Sequence, residues 1–242
     1  MGLFDKKYCD VCGEKIGLLG NRKLEDGNLC KNCAKQLSPW FSERRHSTLA
    51  DIKAQLAYRE ENKQAVKDFH VTLTLGKGMK VLVDEDAHKF MVTDAKNIAE
   101  ANPDVMDFSM VTGCSLDVDE SSYEIYRRVG DKEESYSPPR YKYSYDFDFI
   151  INVNHPYFDE IKFRLNTYSI DTGEQQGGTP EYNSYVNLSE EIKEALMNAR
   201  QSARDEAAAQ NAPKFAVTCP QCGATTIPDS YGRCEYCGGK AI

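Results

Sequence analysis

Tyr141-Lys142-Tyr143-Ser144-Tyr145-Asp146-Phe147-Asp148-Phe149-Ile150-Ile151 opens with a strict alternation of aromatic and polar side chains. A period of two sends Tyr141, Tyr143, Tyr145, Phe147 and Phe149 to one face of a strand and Lys142, Ser144, Asp146 and Asp148 to the other. Downstream, Ile161, Phe163 and Leu165 alternate with Lys162 and Arg164. The two stretches predict an antiparallel hairpin turning around Asn154-His155-Pro156. One register satisfies both faces: Asp148 against Lys162 and Asp146 against Arg164 on the wet side, Phe147 against Phe163 and Phe149 against Ile161 on the dry side. A bulge would shift it by a residue.

Upstream the period stays at two. His70 to Leu75, Met79 to Val83 and Lys89 to Val92 read as three strands, separated by Gly76-Lys77-Gly78 and the polar tip Asp84-Glu85-Asp86-Ala87-His88. Val105 to Val111, Cys114 to Val118 and Tyr123 to Val129 are three more short strands, divided by Gly113 and by Glu120-Ser121-Ser122. Before them the period is helical. Ser38-Pro39 suits a first helical turn, where proline loses no hydrogen bond. Thr48 with Asp51 writes a capping box, and Leu49, Ile52, Leu56, Val66 and Phe69 extend it into one helix of about five turns. Arg59 and Lys63 interrupt its apolar stripe, so a bend or an exposed middle is predicted. After the strands, Asp171 to Glu181 is a glycine-rich loop. Asn187 with Glu190 then caps a helix whose stripe is Ile192, Ala195, Leu196 and Ala199. Its tail, Ala203 to Ala212, is a helical linker ending at Pro213.

Both ends of the chain are written in cysteine. Cys9-x-x-Cys12-Gly13 precedes Cys30-x-x-Cys33, and Cys219-x-x-Cys222-Gly223 precedes Cys234-x-x-Cys237-Gly238. A two-residue gap aims both sulfurs of a pair at one point, the glycine permits the left-handed backbone of such a knuckle, and two pairs complete a tetrahedral all-sulfur shell. The metal expected is zinc, one ion per module, and all eight cysteines are its ligands. With every position filled by thiolate, the zinc has no open site for water and reads as structural. These modules have little core: Leu18, Leu19, Leu24 and Leu29 are assigned to the first, Ile227, Tyr231 and Tyr236 to the second. The ninth cysteine, Cys114, reads as a buried small hydrophobe. His46, His70, His88 and His155 have no ligand spacing and are assigned to no metal.

The resulting fold class is α+β: an antiparallel β-sandwich or partly open barrel with a C-terminal helix, flanked by two small zinc modules. The pieces are residues 1–40 (zinc module), 41–69 (helical connector), 70–202 (β body and closing helix), 203–212 (helical linker) and 213–242 (zinc ribbon).

Charge narrows the function classes. The 242 residues carry 30 Lys plus Arg against 38 Asp plus Glu, a net charge of -8. Residues 1–69 are net basic and residues 70–176 hold most of the excess acid. Nucleic-acid binding draws on basic charge, so it is disfavoured, and Arg22 and Lys23 of the first module form the one credible patch. The Tyr141, Tyr143, Tyr145 stripe reads as core rather than as a base-stacking platform. Asp117, Asp119, Glu120 and Glu124 lack an EF-hand pattern and read as a solvated edge. No G-x-S-x-G, H-E-x-x-H or Walker A motif is present, so no catalytic residue is assigned and the chain is read as a non-enzyme. With no apolar run long enough for a membrane and no export signal, the expected compartment is the cytoplasm, where thiols stay reduced.

The opening Tyr8-Cys9-Asp10-Val11-Cys12-Gly13, the pair Leu29-Cys30-Lys31-Asn32-Cys33 and the helix Thr48 to Leu56 resemble a bacterial zinc-knuckle family of unknown function over about residues 5–60. Lys80 to Val92, followed by Asn102-Pro103-Asp104-Val105 and the strand to Val118, is similar to bacterial pleckstrin-homology-like domains. The last 30 residues look like a zinc ribbon. These resemblances imply two antiparallel sheets closed by a C-terminal helix, and they bring no catalytic residue. Few basic residues, Lys77 and Lys80, stand where phosphoinositide would need them. The function expected is a scaffold or adaptor binding other proteins through its zinc modules and an exposed sheet edge. The alternatives are a nucleic-acid-associated regulator using the N-terminal module, and a zinc-linked redox or metal sensor. The partner and the oligomeric state are not legible.

Overall fold

A computed structural model describes residues 6–211, 216–229 and 231–241, with the side chains of 206, 207 and 209–211 left aside. The chain divides into two compact units, Met1–Gln201 and Ser202–Ile242.

The first unit begins with two small hairpins, β1 (Lys7–Tyr8) with β2 (Lys15–Ile16) and β3 (Arg22–Lys23) with β4 (Asn28–Leu29), followed by the short helix α1 (Lys31–Ala34). Ser38-Pro39 does not start a helix. Ser38 Oγ donates to Asp104 Oδ2 at 2.8 Å and accepts from Trp40 N at 3.1 Å, so the chain turns there. A single 3-10 turn, Glu43–His46, comes next. The capping box then forms as read: Thr48 Oγ1 accepts from Asp51 N, and Asp51 Oδ2 accepts from Thr48 N at 2.9 Å, opening α2 (Leu49–Asp68).

The middle of α2 departs from the sequence reading at one of its two positions. Lys63 is exposed as expected, but Arg59 is buried, and so is Asn62 beside it. Arg59 Nη1 donates to Asp104 Oδ1 at 2.7 Å, Arg59 Nε to Gln36 O at 3.3 Å, and Arg59 Nη2 to Asn102 O. Asn62 Nδ2 donates to Pro103 O at 2.7 Å and its Oδ1 accepts from Val105 N at 2.9 Å. This polar clasp fastens α2 to the 102–105 segment, with its charges paired and hydrogen-bonded as burial demands. One turn earlier Gln55 is fully buried, and neither polar atom of its side-chain amide has a partner. An unpaired buried polar group costs about 1–3 kcal/mol, so Gln55→Met is expected to raise the unfolding free energy by that order. The check is the urea midpoint, which should rise at constant slope.

Two separate antiparallel sheets follow. The first holds β5 (Leu73–Leu75), β6 (Lys80–Asp84), β7 (Lys89–Thr93) and, after the one-turn helix α3 (Ile98–Ala101), β8 (Met106–Asp107), in the order β5-β6-β7-β8. The tip between β6 and β7 is organised by Asp84. It is buried and accepts from His70 N at 2.8 Å and Ala87 N at 2.9 Å. Gly76, with φ near +92° and Met79 O only 2.5 Å from where a Cβ would sit, makes the β5–β6 turn a glycine position.

The second sheet is where reading and structure differ most. The expected breaks at Gly113 and Glu120-Ser121-Ser122 do not occur: β9 is one strand, Val111–Val129. It pairs along almost its whole length with β10, Lys132–Val153, which carries the quoted alternation and begins well before Tyr141. Asp148, flanked by β9 and β11 (Glu160–Arg164), lies opposite Asp117 on one side and Arg164 on the other. The β10–β11 register therefore differs from the one read from sequence by two residues. Phe149 opposes Phe163, and Ile151 opposes Ile161. A two-residue slip keeps every side chain on its intended face, which is why patterning could not detect it. The expected charge pairs survive as diagonals, Lys162–Asp148 at 3.4 Å and Arg164–Asp146 at 3.0 Å, joined by Lys162–Asp117 at 3.2 Å. The last strand, β12 (Ile170–Gly173), completes the order β11-β10-β12 with β9 on β10.

The helix α4 (Pro180–Asn211) starts earlier than Asn187. Thr179 Oγ1 accepts from Tyr182 N at 3.2 Å and Pro180 occupies the first turn, a stronger start than an exposed asparagine. Its Ile192 and Leu196 join Val81, Phe90, Phe108, Phe147, Phe149 and Ile161 in one core shared by both sheets. The architecture is mixed helix and sheet with no closed barrel. The tyrosine stripe is graded, from Tyr145 in the core to Tyr141 at 40% exposure. No helix among the described residues is long and apolar enough to cross a membrane.

The second unit holds the hairpin β13 (Val217–Thr218) with β14 (Thr225–Thr226). The expected end of the linker at Pro213 lies outside the described residues.

Candidate metal centres

In the first centre Gly13 N donates to Cys9 O at 2.8 Å, with Gly13 at φ near +73°, so the glycine closes a knuckle that carries Cys9 and Cys12. The second pair does not form a knuckle. No glycine follows Cys33; Cys30 is instead the N-cap of α1, its Sγ accepting from Cys33 N at 3.3 Å. Asp10 ties the two halves, its Oδ2 accepting from Asn28 N at 2.6 Å. In the second centre both pairs are knuckles, with Gly223 and Gly238 in the left-handed region and their N–H groups donating to Cys219 O and Cys234 O at 2.8 Å.

The four sulfurs of each centre, Cys9, Cys12, Cys30 and Cys33, and Cys219, Cys222, Cys234 and Cys237, lie within 4.8 Å of one another. Cys12 and Cys30 sulfurs are 3.7 Å apart, Cys219 and Cys237 3.6 Å, and Cys222 and Cys234 3.7 Å. A tetrahedron with zinc–sulfur bonds of about 2.3 Å has edges of about 3.8 Å, whereas a disulfide brings sulfurs to about 2.05 Å. The spacing fits a four-coordinate thiophilic metal, and all nine cysteines are free thiols.

A family described as a domain of unknown function (DUF4428) matches residues 7–55. That span holds the first centre and stops inside α2, which is where the module's core also ends. Leu24, Leu29, Leu37, Cys9, Cys30 and Cys33 pack with Ile52, Leu49 and Leu56 of the helix. Searches of curated proteins and of solved structures return no match.

Metal binding requires thiolates, and the backbone helps to make them. Burial opposes ionisation of Cys9, but N–H groups of Cys12, Cys30 and Val11 aimed at its sulfur bring its pKa down to about 6. Cys234 is likewise brought to about 6 against its burial, by N–H groups of Cys237 and Tyr236. Cys33 is pushed up, chiefly by burial, and needs the cation to ionise it.

Several expected core residues stand outside. Leu18 and Leu19 are 88% and 89% exposed, and Ile227, Tyr231 and Tyr236 also lie at the surface. Among the described residues the second module's buried apolar cluster is Cys219, Cys234 and Ala241, with Val217 against it. Cys114 is half-buried on β9 and its pKa is raised to about 11 by burial, which makes its thiol a poor nucleophile. His155 stacks on Phe158, ring centroids 4.0 Å apart, and burial lowers its pKa, as for a packed neutral imidazole. The acidic residues of β9 line an exposed strand, Asp117 pairing with Lys162 and Glu120 accepting from Tyr145 Oη at 2.7 Å.

Proposed function

We propose that this protein is a non-enzymatic cytoplasmic adaptor, its termini stapled by one zinc ion each, that binds other proteins through the ribbon formed by β9 and β10. The observation that carries this reading is the ribbon's outer half. Among the described residues, β10 has no strand but β9 beside it from Lys132 to Lys142, and β9 has none but β10 along its length. Residues 123–129 of β9 and 132–142 of β10 reach outward, roughly 23 Å of two-stranded structure. Isolated two-stranded ribbons are marginal in water and gain from a third strand or a covering face. Tyr123, Tyr126, Val129 and Tyr141 are 57%, 54%, 47% and 40% exposed there. Pro138 and Pro139 sit where the β9–β10 register shifts, between Ser135 and Arg140, and deny that stretch of β10 to an added strand. The outer edge of β9 contains no proline. It is the edge suited to β-strand addition by a partner.

The zinc centres supply rigidity rather than chemistry, since four thiolates leave no position for a substrate. The pleckstrin-homology-like architecture belongs to the same proposal, supported by a C-terminal helix packed on two antiparallel sheets.

The test compares proteins captured from native lysate by the wild type, by Y123S/Y126S/Y141S, and by chains lacking either cysteine module. An adaptor loses one partner with the ribbon lesion and a different one with a module deletion. Identical recovery from all four proteins would defeat the reading.

A further inference from the structure

The hairpin β3–β4 and the 3-10 turn Glu43–His46 are far apart in sequence and adjacent in space. Arg44 Nη1 donates to Lys23 O at 2.7 Å, which holds the two together. Around this contact an open hollow of about 680 Å³ is lined by Arg22, Lys23, Arg44 and Arg45, with Glu25 the one carboxylate on its wall. A second hollow of about 300 Å³ adjoins it, lined by Arg22, Arg44, Lys31 and Lys35. Arg22 and Arg44 wall both. Among the described residues none of these six cations has a carboxylate within ion-pair distance. Burial first, then repulsion from Arg22 and Arg45, lowers the pKa of Arg44.

Three arginines and three lysines gathered without counter-ions, in a chain of net charge -8, call for an external anion. Two joined hollows favour repeated negative charge over a single ion, and arginine forks match phosphate oxygens. We propose that this strip, Lys31 and Lys35 through Arg22 and Arg44 to Lys23 and Arg45, binds the phosphate backbone of nucleic acid. The contacts are to phosphates, so binding is independent of base sequence. Sequence reasoning saw only Arg22 and Lys23; the other four cations arrive through the fold. This inference is independent of the partner assigned to the β9–β10 ribbon.

The experiment uses the zinc-loaded full chain and fluorescence anisotropy of a labelled single-stranded oligonucleotide of mixed sequence. Saturable binding is expected in low salt. Engagement of four phosphates would weaken it about 50-fold between roughly 50 and 200 mM salt. K23E/R45E and K31E/K35E, whose side chains make no hydrogen bond among the described residues, should each lower affinity at least about tenfold while keeping the wild-type metal content. Absence of binding, wild-type affinity in both variants, or loss instead in R233E/K240E of the C-terminal module would overturn the proposal. So would an oligonucleotide held no more tightly than inorganic phosphate, which would leave a single-anion site, or equal binding of a polyglutamate peptide, which would make the ligand an acidic protein.

Discussion

Stripping the metal under reducing conditions is expected to unfold the two ends of the chain and leave the two sheets standing. Chelation should release two zinc ions per chain and abolish hydrogen-exchange protection over Lys7–Ala34 and Val217–Ala241. Among its described residues the second module buries little besides Cys219, Cys234, Thr226 and Ala241, so the metal must supply its folding free energy. Apparent values for comparable zinc peptides are about 10–16 kcal/mol, far more than such a core could contribute. In the first module the sulfur cluster packs with Leu24, Leu29 and Ile52, so the opening turns of α2 should loosen too. The shared core of Val81, Phe90, Phe147, Phe149, Ile161 and Leu196 contains no zinc ligand and should keep its protection. Protein purified in reductant that holds no metal, yet keeps residues 7–34 protected, would sink the zinc reading.

Removing Asp104 is the second large effect. Its carboxylate is the buried partner of Arg59 and of Ser38 Oγ, with side-chain exposure of 9% for Arg59 and 0% for Asp104. Asp104→Ala leaves a guanidinium buried without its counter-charge, which costs about 3–5 kcal/mol. The loss should reach beyond the pair, because Arg59 also donates to Gln36 O and Asn102 O, the link between the first module and the sheet. Replacing both charges with apolar residues of similar size, R59M/D104L, should recover most of the loss. Equal destabilisation in the single and double variants, measured by urea unfolding, would show that the clasp does not act as a pair.

These two expectations also divide what was legible from what was not. The cysteine spacings identified both four-sulfur groups, because C-x-x-C geometry is local: a tight turn brings each pair of sulfurs together without help from the rest of the chain. The Thr48–Asp51 cap was equally local. Strand identity in the quoted stretch was legible because alternation is a property of one segment.

Register was not legible. The β10–β11 pairing read from the charges was two residues off, since such a slip preserves both faces and its cost lies in packing against other elements. The β9–β10 ribbon was cut into fragments because glycine and serine mark turns in isolation, yet across from a long partner strand they are held extended. Arg59 looked like an interruption of a stripe, and only Asp104, 45 positions away, turns it into a clasp.

The sequence by itself determined the four-sulfur groups, the Thr48–Asp51 cap and which faces of the strands are apolar, since the C-x-x-C pairs, the cap and the alternation each depend on residues a few positions apart. The tertiary structure alone decided the register, the buried charge pair, the free edge of β9 and the gathering of six cations around Arg22 and Arg44. Those depend on which distant segments meet, and Coulomb forces, desolvation and packing act across space rather than along the chain.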